Sequence, residues 1–554
     1  MSQNRAIRVS AVRLRGSSDS NMDDAPVRTG DASRAADGEK HMALRDALRA
    51  GKKGILWAIV CASSTVMEGF DLALLGGFYA YPAFQMKFGE IHNIDESGKA
   101  HYEVPAAWQT ALSAGAQIGQ IMGLCVAGMA AQRFGYKRTV IAALLAMMLC
   151  IFIPFFAPSK AVLLVGEIAQ GIPWGVFEAM PAAYAAEVVP MVLRPYITTY
   201  SNLCWVFGQL LATGVLRSCL TMGDDNEWAY RLPFGLQWFW PPVILAFMVF
   251  APESPWFLEK KGRSDRAKLS LRRITNYDEQ QIEDAYENIR YTVLIDVQSQ
   301  TASQSQNPKS AFKTALMEFP VAFKAKTGAA LRLPAAGLSA EAAFTLQLAG
   351  LGCGIIGTAL AWLLMAYFGR RKIYTMGLGA LLTLLLLMAI LSFAAFDKGG
   401  VPWTVAVLLA VYIFVYDSTV GPCCYSIVTE VPSVQRRAAT VALARICYNM
   451  CGIFSVTMNP LMLNPSSLNW GTKATLFWAV LCAVCLAWTY FRLPETKDRS
   501  FAELDLLFRQ GTSARKFQET IVNPFNPEVI NIEGVAEGVS ISESQEKETP
   551  EHRA

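Results

Sequence analysis

Two acidic residues, Glu68 and Asp71, stand three positions apart in an otherwise apolar run between residues 55 and 80. At that spacing both carboxylates lie on one face of a helix. If the run crosses a bilayer, each costs about 2.5–3.5 kcal/mol even on the lenient insertion scale. A carboxylate kept in such a place is either a proton carrier or half of a structural ion pair. Two further charges share the setting: Glu178 in the apolar run 161–186 and Arg445 in the run 438–459. For Arg445 the alternative is a packing cation satisfied by backbone carbonyls. Enzyme chemistry has no foothold, because the chain carries no nucleophile elbow, phosphate loop or metal-ligand spacing. The four histidines, His41, His92, His101 and His552, all lie outside the apolar runs. No cofactor and no metal are expected.

The elements that position these charges follow from the distribution of apolar residues. Over 554 residues the chain is 53% hydrophobic and 17% charged, with a mean hydropathy of +0.29, which does not fit an ordinary soluble core. Charges crowd into 1–53, 252–332 and 492–554, and apolar blocks matching the thickness of a bilayer fill the rest. The blocks fall at 55–80, 106–131, 139–157, 161–186, 196–216 and 234–251, then at 341–368, 373–396, 403–428, 438–459 and 472–492. They are numbered here as spans 1 to 6 and 8 to 12. The 12 cysteines sit mostly inside the blocks and read as small apolar residues. A net charge of +4 with no basic stripe interleaved with aromatics excludes a nucleic-acid partner. The lipid bilayer is the partner that the composition demands.

Basic residues fall in alternate loops: Arg133, Lys137 and Arg138; Arg194; the run from Lys260 to Arg273; Arg370, Arg371 and Lys372; and Arg436 with Arg437. Those loops are cytoplasmic by the positive-inside bias. The polar loop 87–105, with Asp95, Glu96 and Glu103, faces outward. Repetition is visible as well. Arg-Phe-Gly-Tyr-Lys-Arg at 133–138 echoes Tyr-Phe-Gly-Arg-Arg-Lys at 367–372, and Pro-Glu-Ser at 252–254 echoes Pro-Glu-Thr at 494–496. Two homologous halves in one orientation, with a site between them at mid-membrane, are the parallel-repeat arrangement of major facilitator carriers. The expected fold is therefore an all-α polytopic membrane protein of two six-helix halves.

Pro-Glu-Ser-Pro-Trp-Phe-Leu at 252–258, Glu187-x-x-Pro190-x-x-x-Arg194, Pro-Glu-Thr at 494–496 and the two Gly-centred basic turns together resemble the sugar porter family of the major facilitator superfamily. Within it the chain is most similar to fungal α-glucoside (maltose-type) proton symporters. That likeness runs through Glu68-Gly-Phe-Asp71, Gly171-Ile-Pro-Trp-Gly-Val-Phe, Tyr230-Arg-Leu-Pro-Phe-Gly-Leu-Gln-Trp238 and Tyr416-Asp-Ser-Thr-Val-Gly-Pro422, over roughly 54–300 and 336–508. The resemblance implies proton coupling by Asp71, Glu68 and Arg445. It implies sugar contacts from Gln209, from the break at Gly421, Pro422 and Tyr425, and from Asn449. It also implies a cytoplasmic charge cluster that locks the halves when the carrier is open outward: Arg133, Lys137, Arg138, Glu187, Arg194, Glu253, Arg370, Arg371, Glu430, Arg437 and Glu495. For Gln209 and Tyr425 interhelical bonding and core packing remain alternatives, and for the cluster, solvated helix ends.

Two departures from the family stand out. Span 2 of the resembling symporters carries a glutamate where this chain has Gln117, and span 4 a glutamine where this chain has Glu178. The carboxylate is expected to have moved from span 2 to span 4. The seventh helix is missing or replaced, since 310–340 holds Lys313, Glu318, Lys324, Lys326 and Arg332. Either residues 313–335 cross at the cost of several charges, or 341–368 enters wrongly oriented, or the sequence misreads an exon.

The domain expectation is a disordered cytoplasmic tail over 1–53, an N-terminal six-helix half over 54–251 and a central loop with the atypical segment over 252–340. A C-terminal half over 341–493 and a cytoplasmic tail over 494–554 complete it. The early arginines Arg5, Arg8, Arg13 and Arg15 are followed by Asp19, Asp23 and Asp24, which favours a tail over a targeting presequence. Function is expected to be proton-coupled uptake of an α-glucoside such as maltose by a plasma-membrane monomer with both termini inside. The alternatives are a hexose or small-metabolite facilitator and a transport-defective paralogue.

Overall fold

The computed structural model describes residues 29–94, 100–223, 226–302, 340–394, 401–432, 437–463, 468, 470, 473–520 and 522. Among them the only strands are a short antiparallel pair in the polar loop between spans 1 and 2, Glu90–Ile94 and Ala100–Glu103. The spans run Lys52–Phe78, Ala106–Phe134 and Tyr136–Phe155 for the first three, Met191–Met222 for the fifth, and Phe344–Tyr367, Arg370–Leu391, Val407–Glu430, Arg437–Met462 and Ala474–Arg492 for the eighth to twelfth. These nine are long and apolar enough to cross a membrane. Span 4 is the equally long helix Lys160–Val188, less apolar because it carries three glutamates. Span 6 is assembled from Trp228–Leu236, a tight turn at Gln237–Phe239 and Trp240–Met248. The place expected for the seventh helix, within 303–339, lies outside the described residues.

Burial is inverted relative to a soluble protein. Leu149, Ile390 and Val484 are exposed on the outside, whereas Glu68, Asp71, Glu167, Glu178, Arg445 and Asn449 are buried. Lipid is the solvent for the outer surface, so the polar groups face inward. Without a hydrophobic force between spans, close approach supplies the packing. A Cβ on Gly119 would strike the Ile168 carbonyl and the Gly171 Cα, and one on Gly171 would strike the Ala116 carbonyl. Spans 2 and 4 therefore meet backbone to backbone, which brings Gln120 and Glu178 toward one interior. Across the two halves, spans 2 and 11 pack together, as do spans 5 and 8.

Three spans break where polar chemistry sits. Span 1 is interrupted at Ser63 and Ser64, whose hydroxyls donate to the Ile59 and Cys61 carbonyls at 2.9 and 2.7 Å. Span 10 breaks at Thr419 and resumes at Val420, so Pro422 falls in a first turn, where its missing N–H costs nothing. Span 6 breaks at Gln237.

The tail expectations need correction. Residues 29–40 and 44–50, assigned to a disordered tail, are helical. So is Phe501–Arg509, within the expected C-terminal tail. The reason is local capping joined to burial. Ser500 and Glu503 form a reciprocal capping box, Phe501, Leu504 and Leu507 are buried, and Lys40 reaches Glu503 at 3.0 Å. Residues 1–28 and 523–554 lie outside the described residues. The central loop holds helices Pro255–Lys260, Ser264–Ile274 and Glu279–Ala302.

Candidate functional site

Midway along the bundle, between the two halves, Glu68 of span 1, Glu178 of span 4, Asn202 and Trp205 of span 5, and Tyr416, Gly421, Cys424 and Tyr425 of span 10 enclose a cavity with Arg445 and Tyr448 of span 11. Arg445 Nη1 lies 3.7 Å from Glu178 Oε1, and Asn449 Nδ2 donates to Glu178 Oε2 at 2.8 Å. Arg445 and Asn449 are four residues apart, so one face of span 11 presents both to the same carboxylate. The Arg445 guanidinium lies 4.2 Å from the Tyr425 ring centre and 5.4 Å from that of Tyr448. Gln120 Nε2 donates to Glu68 Oε1 at 3.3 Å. The cavity holds about 20 Å³, room for about one water and no sugar. The halves are closed around it.

The structure thus brings together Glu68, Glu178, Arg445, Asn449, Tyr425 and Gly421. Pro422 is buried beside them. Gln209 does not line the cavity. It is half-buried one turn beyond Trp205, and its backbone carbonyl accepts from Thr213 Oγ1 at 2.9 Å. Asp71 also stands apart, accepting a bond from the Gln237 side chain. Gln170 Nε2 in turn donates to Gln237 Oε1 at 2.9 Å, and Glu167 is fully buried beside this group. In span 2 it is Gln120, one turn beyond Gln117, that meets Glu68.

At the end of the bundle that carries the two Gly-centred basic turns the charged residues divide by role. Glu187 and Arg437, both fully buried, form an ion pair across the halves at 3.2 Å. Glu187 also accepts from Tyr136 Oη at 3.0 Å and Ser254 Oγ at 2.5 Å, with Lys260 Nζ at 3.9 Å. Phe501 lies between two cations, its ring centre 4.3 Å from the Arg194 guanidinium and 3.8 Å from that of Arg437. The other members stay within one half. Arg370 and Glu430 pair at 3.6 Å. Glu253 accepts from the backbone N–H of Tyr136 and Lys137 at 3.0 and 3.4 Å, capping the start of span 3. Glu495 does the same for Arg370 and Arg371 at 2.8 and 3.3 Å at the start of span 9. Burial holds the Glu253 carboxyl up to about 7 against the pull of its backbone donors. Lys137 Nζ and an Arg371 amino group complete the match by donating to the Val249 and Tyr490 carbonyls at 2.7 and 2.9 Å. Arg133 and Arg138 are exposed.

Several buried polar side chains escaped the sequence reading. Asp417, inside the quoted Tyr-Asp-Ser run, accepts from Asn202 Nδ2 at 3.1 Å across the halves. Gln237 lies in the quoted Tyr230–Trp238 run, while Glu167 and Gln170 carry only the signal of polar residues in an apolar helix.

A family model described as "Sugar (and other) transporter" matches residues 57–508. The general alpha-glucoside permease of Saccharomyces cerevisiae is 37% identical over 518 residues, covering 90% of this chain and 82% of that one. The maltose permease MAL31 of the same organism is 34% identical over 509 residues, covering 89% and 82%. Among solved structures, the proton:xylose symporter XylE bound to 6-bromo-6-deoxy-D-glucose superposes with a TM-score of 0.69 at 18% identity, covering 82% of this chain and 99% of that one. A likeness at that identity concerns the fold.

Proposed function

We propose that this chain, which belongs to the sugar (and other) transporter family and has the major facilitator fold, takes up an α-glucoside such as maltose together with protons. It is a multi-pass membrane transporter, not an enzyme. The observation that carries the coupling is the charge balance of the cavity, where two buried carboxylates, Glu68 and Glu178, meet one guanidinium, Arg445. An uncompensated charge in so dry a place is costly. The closed cavity is therefore neutral with one proton on the carboxyl pair.

With the halves parted on the outer side, protonation of one carboxyl leaves the other on Arg445. Sugar hydroxyls then bond to Asn449, Gln120 and the carboxyls, while an apolar sugar face rests on Tyr425, Tyr448 or Trp205. Closing and reopening inward breaks Glu187–Arg437 and lets both solutes leave. Inward movement of one proton is worth about 2.3 kcal/mol per 100 mV. The α-glucoside choice draws on the two yeast relatives, whose printed names are those of α-glucoside and maltose permeases. The protein is taken as a plasma-membrane monomer, and the positive-inside loops support termini on the inner side.

The test is labelled maltose against labelled glucose in a transport-deficient cell, with and without a protonophore. Saturable maltose uptake that collapses with the protonophore is expected. Uptake indifferent to pH and protonophore would leave a facilitator, and no uptake by protein correctly in the membrane would end the transporter reading.

A further inference from the structure

Spans 9 and 12 pack against each other, and between them a groove of about 480 Å³ opens to the side of the bundle. Thr375, Met376 and Leu382 of span 9 and Leu486, Ala487 and Tyr490 of span 12 line it. The Thr375 hydroxyl donates to the Arg371 carbonyl, so the wall it leaves is apolar. Leu382 is 11 residues beyond Arg371, about 16 Å along a helix. The groove therefore runs the depth of one leaflet, about half of a 30 Å hydrocarbon core. Met376 and Tyr490 are 71% and 53% exposed, on the surface that lipid bathes.

The mouth of the groove, at the end of the bundle that carries the Gly-centred basic turns, is cationic. An Arg371 amino group donates to the Tyr490 carbonyl at 2.9 Å, and the Arg371 guanidinium lies 6.0 Å from the Tyr490 ring centre. The Arg515 guanidinium arrives from the tail and lies 4.9 Å from the ring centre of Tyr490 and 4.7 Å from that of Phe491. Its position is built. Arg499 donates to the carbonyls of Phe517, Gln518 and Thr520 at 3.0, 3.4 and 2.8 Å, and Phe517 is buried against Phe508 with ring centres 5.0 Å apart. These contacts fold the turn Ala514–Lys516 back onto the end of span 12. Arg492, at that end, and Lys516, in the turn, add two further charges. Among the described residues none of Arg371, Arg492, Arg515 and Lys516 is in an ion pair. Glu495 does not neutralise them, since it is buried and accepts from the backbone N–H groups of Arg370 and Arg371.

We propose that this groove binds an anionic phospholipid, with one acyl chain along spans 9 and 12 and the phosphate on Arg371 and Arg515. A guanidinium recognises phosphate through paired N–H donors, and stacking on an aromatic ring leaves that donor edge free. A zwitterionic lipid offers the same chain, but its headgroup brings a cation of its own toward the arginines. Anionic lipids also concentrate in the leaflet that positive-inside loops face. The bound lipid ties the tail turn to the start of span 9 and the end of span 12.

This site is independent of what the chain transports, and its test needs no transport. The full chain is reconstituted in vesicles of equal parts phosphatidylserine and phosphatidylcholine and extracted in mild detergent, and the lipid retained per protein is counted by native mass spectrometry. Phosphatidylserine is expected to be retained in excess. Arg515→Gln is expected to lower its retention about fivefold, the worth of one surface cation, and Arg515→Lys to keep most of it. Met376→Trp fills the groove without touching a charge and is expected to lower retention as well. Equal retention of the two lipids by the unmutated chain overturns the proposal, as does unchanged phosphatidylserine retention in Arg515→Gln. Loss in Arg515→Gln with none in Met376→Trp overturns it too, since the headgroup would then sit on a surface cation with no chain in the groove. Glycerophosphoserine, which has the headgroup and no chains, is added during extraction as a competitor and is expected to leave the lipid in place. Displacement of the lipid by it would make the ligand a free phosphate ester and overturn the lipid site.

Discussion

In the N-terminal half Glu253 caps the start of span 3 and Lys137 closes on the end of span 6. In the C-terminal half Glu495 caps the start of span 9 and Arg371 closes on the end of span 12. Gly135 and Gly369 make room for the two carboxylates, since a Cβ on either would strike the capping glutamate. Deeper in the membrane this correspondence ends. The N-terminal half buries Glu68, Asp71, Glu167 and Glu178, whereas the C-terminal half buries Arg445 and Asp417. The duplicated parts hold helix ends in place, and the unduplicated parts carry the charge chemistry. The cation and its carboxylates sit on opposite halves, so their pairing is tied to how the halves meet.

The sharpest way to break this contrast is to remove the cation that lines the cavity. Arg445→Met strands Glu178, and breaking a buried pair costs roughly 3–5 kcal/mol. Initial uptake rates, normalised to protein at the membrane, are expected to fall by about a hundredfold or more. Arg445→Lys keeps the charge but loses the planar stacking on Tyr425, and falls between. Adding Glu178→Gln to Arg445→Met neutralises both partners and is expected to recover protein stability beyond the single variant. Near-normal uptake by Arg445→Met would show that the asymmetry of the two halves has no part in transport.

How much of this could be read in advance depended on the kind of signal. Apolar blocks mark spans because the bilayer imposes their length, so the eleven blocks reappear as helical segments, nine of them long and apolar enough to cross a membrane among the described residues. Charges that violate an apolar run stand out for the same reason, and Glu68, Glu178 and Arg445 meet in one cavity, although Glu167 and Asp417, set in such runs too, were passed over. The motif glutamates Glu253 and Glu495 were visible as repeats, but the sequence holds no sign of whether a carboxylate faces a guanidinium or a helix N-terminus. Gln120 and Gln117 lie one turn apart on the same helix, and only packing against span 1 distinguishes them. The amides Gln170 and Gln237 are harder still, since a neutral polar residue in a span costs too little to attract notice.

A smaller effect is expected at the ion pair that joins the halves. Arg437→Met leaves Glu187 with Tyr136, Ser254 and Lys260, so the loss is that of one charged contact, about 1.5–3 kcal/mol. It weakens the inside-closed arrangement and leaves the cavity charges intact. Cys424 lines the cavity and reports the change. In inverted membranes a membrane-impermeant thiol reagent is expected to modify Cys424 roughly tenfold faster in Arg437→Met. Equal modification rates would mean that Glu187–Arg437 fastens helix ends as the caps do and does not hold the gate.

The smallest effects test the symmetry itself. Glu253→Gln and Glu495→Gln each weaken one capped helix start, worth about 0.5–2 kcal/mol, and the two variants are expected to lower the melting temperature in detergent by similar amounts. A large difference between them would show that only one copy of the repeat still bears on stability. Glu253 adds a pH signature. Burial raises its carboxyl from the ordinary 4.5 to about 7, outweighing the backbone donors that favour the anion. The folded state therefore binds the proton more tightly than the unfolded chain. That contribution to stability is complete below about pH 4.5 and is lost as pH rises through about 7. Melting temperatures measured from pH 5 to 8 are expected to decline in the unmutated chain, and Glu253→Gln, neutral throughout, is expected to remove that part of the decline. An identical slope in both proteins would place the titrating group elsewhere and leave the cap as a charge at every pH in the range.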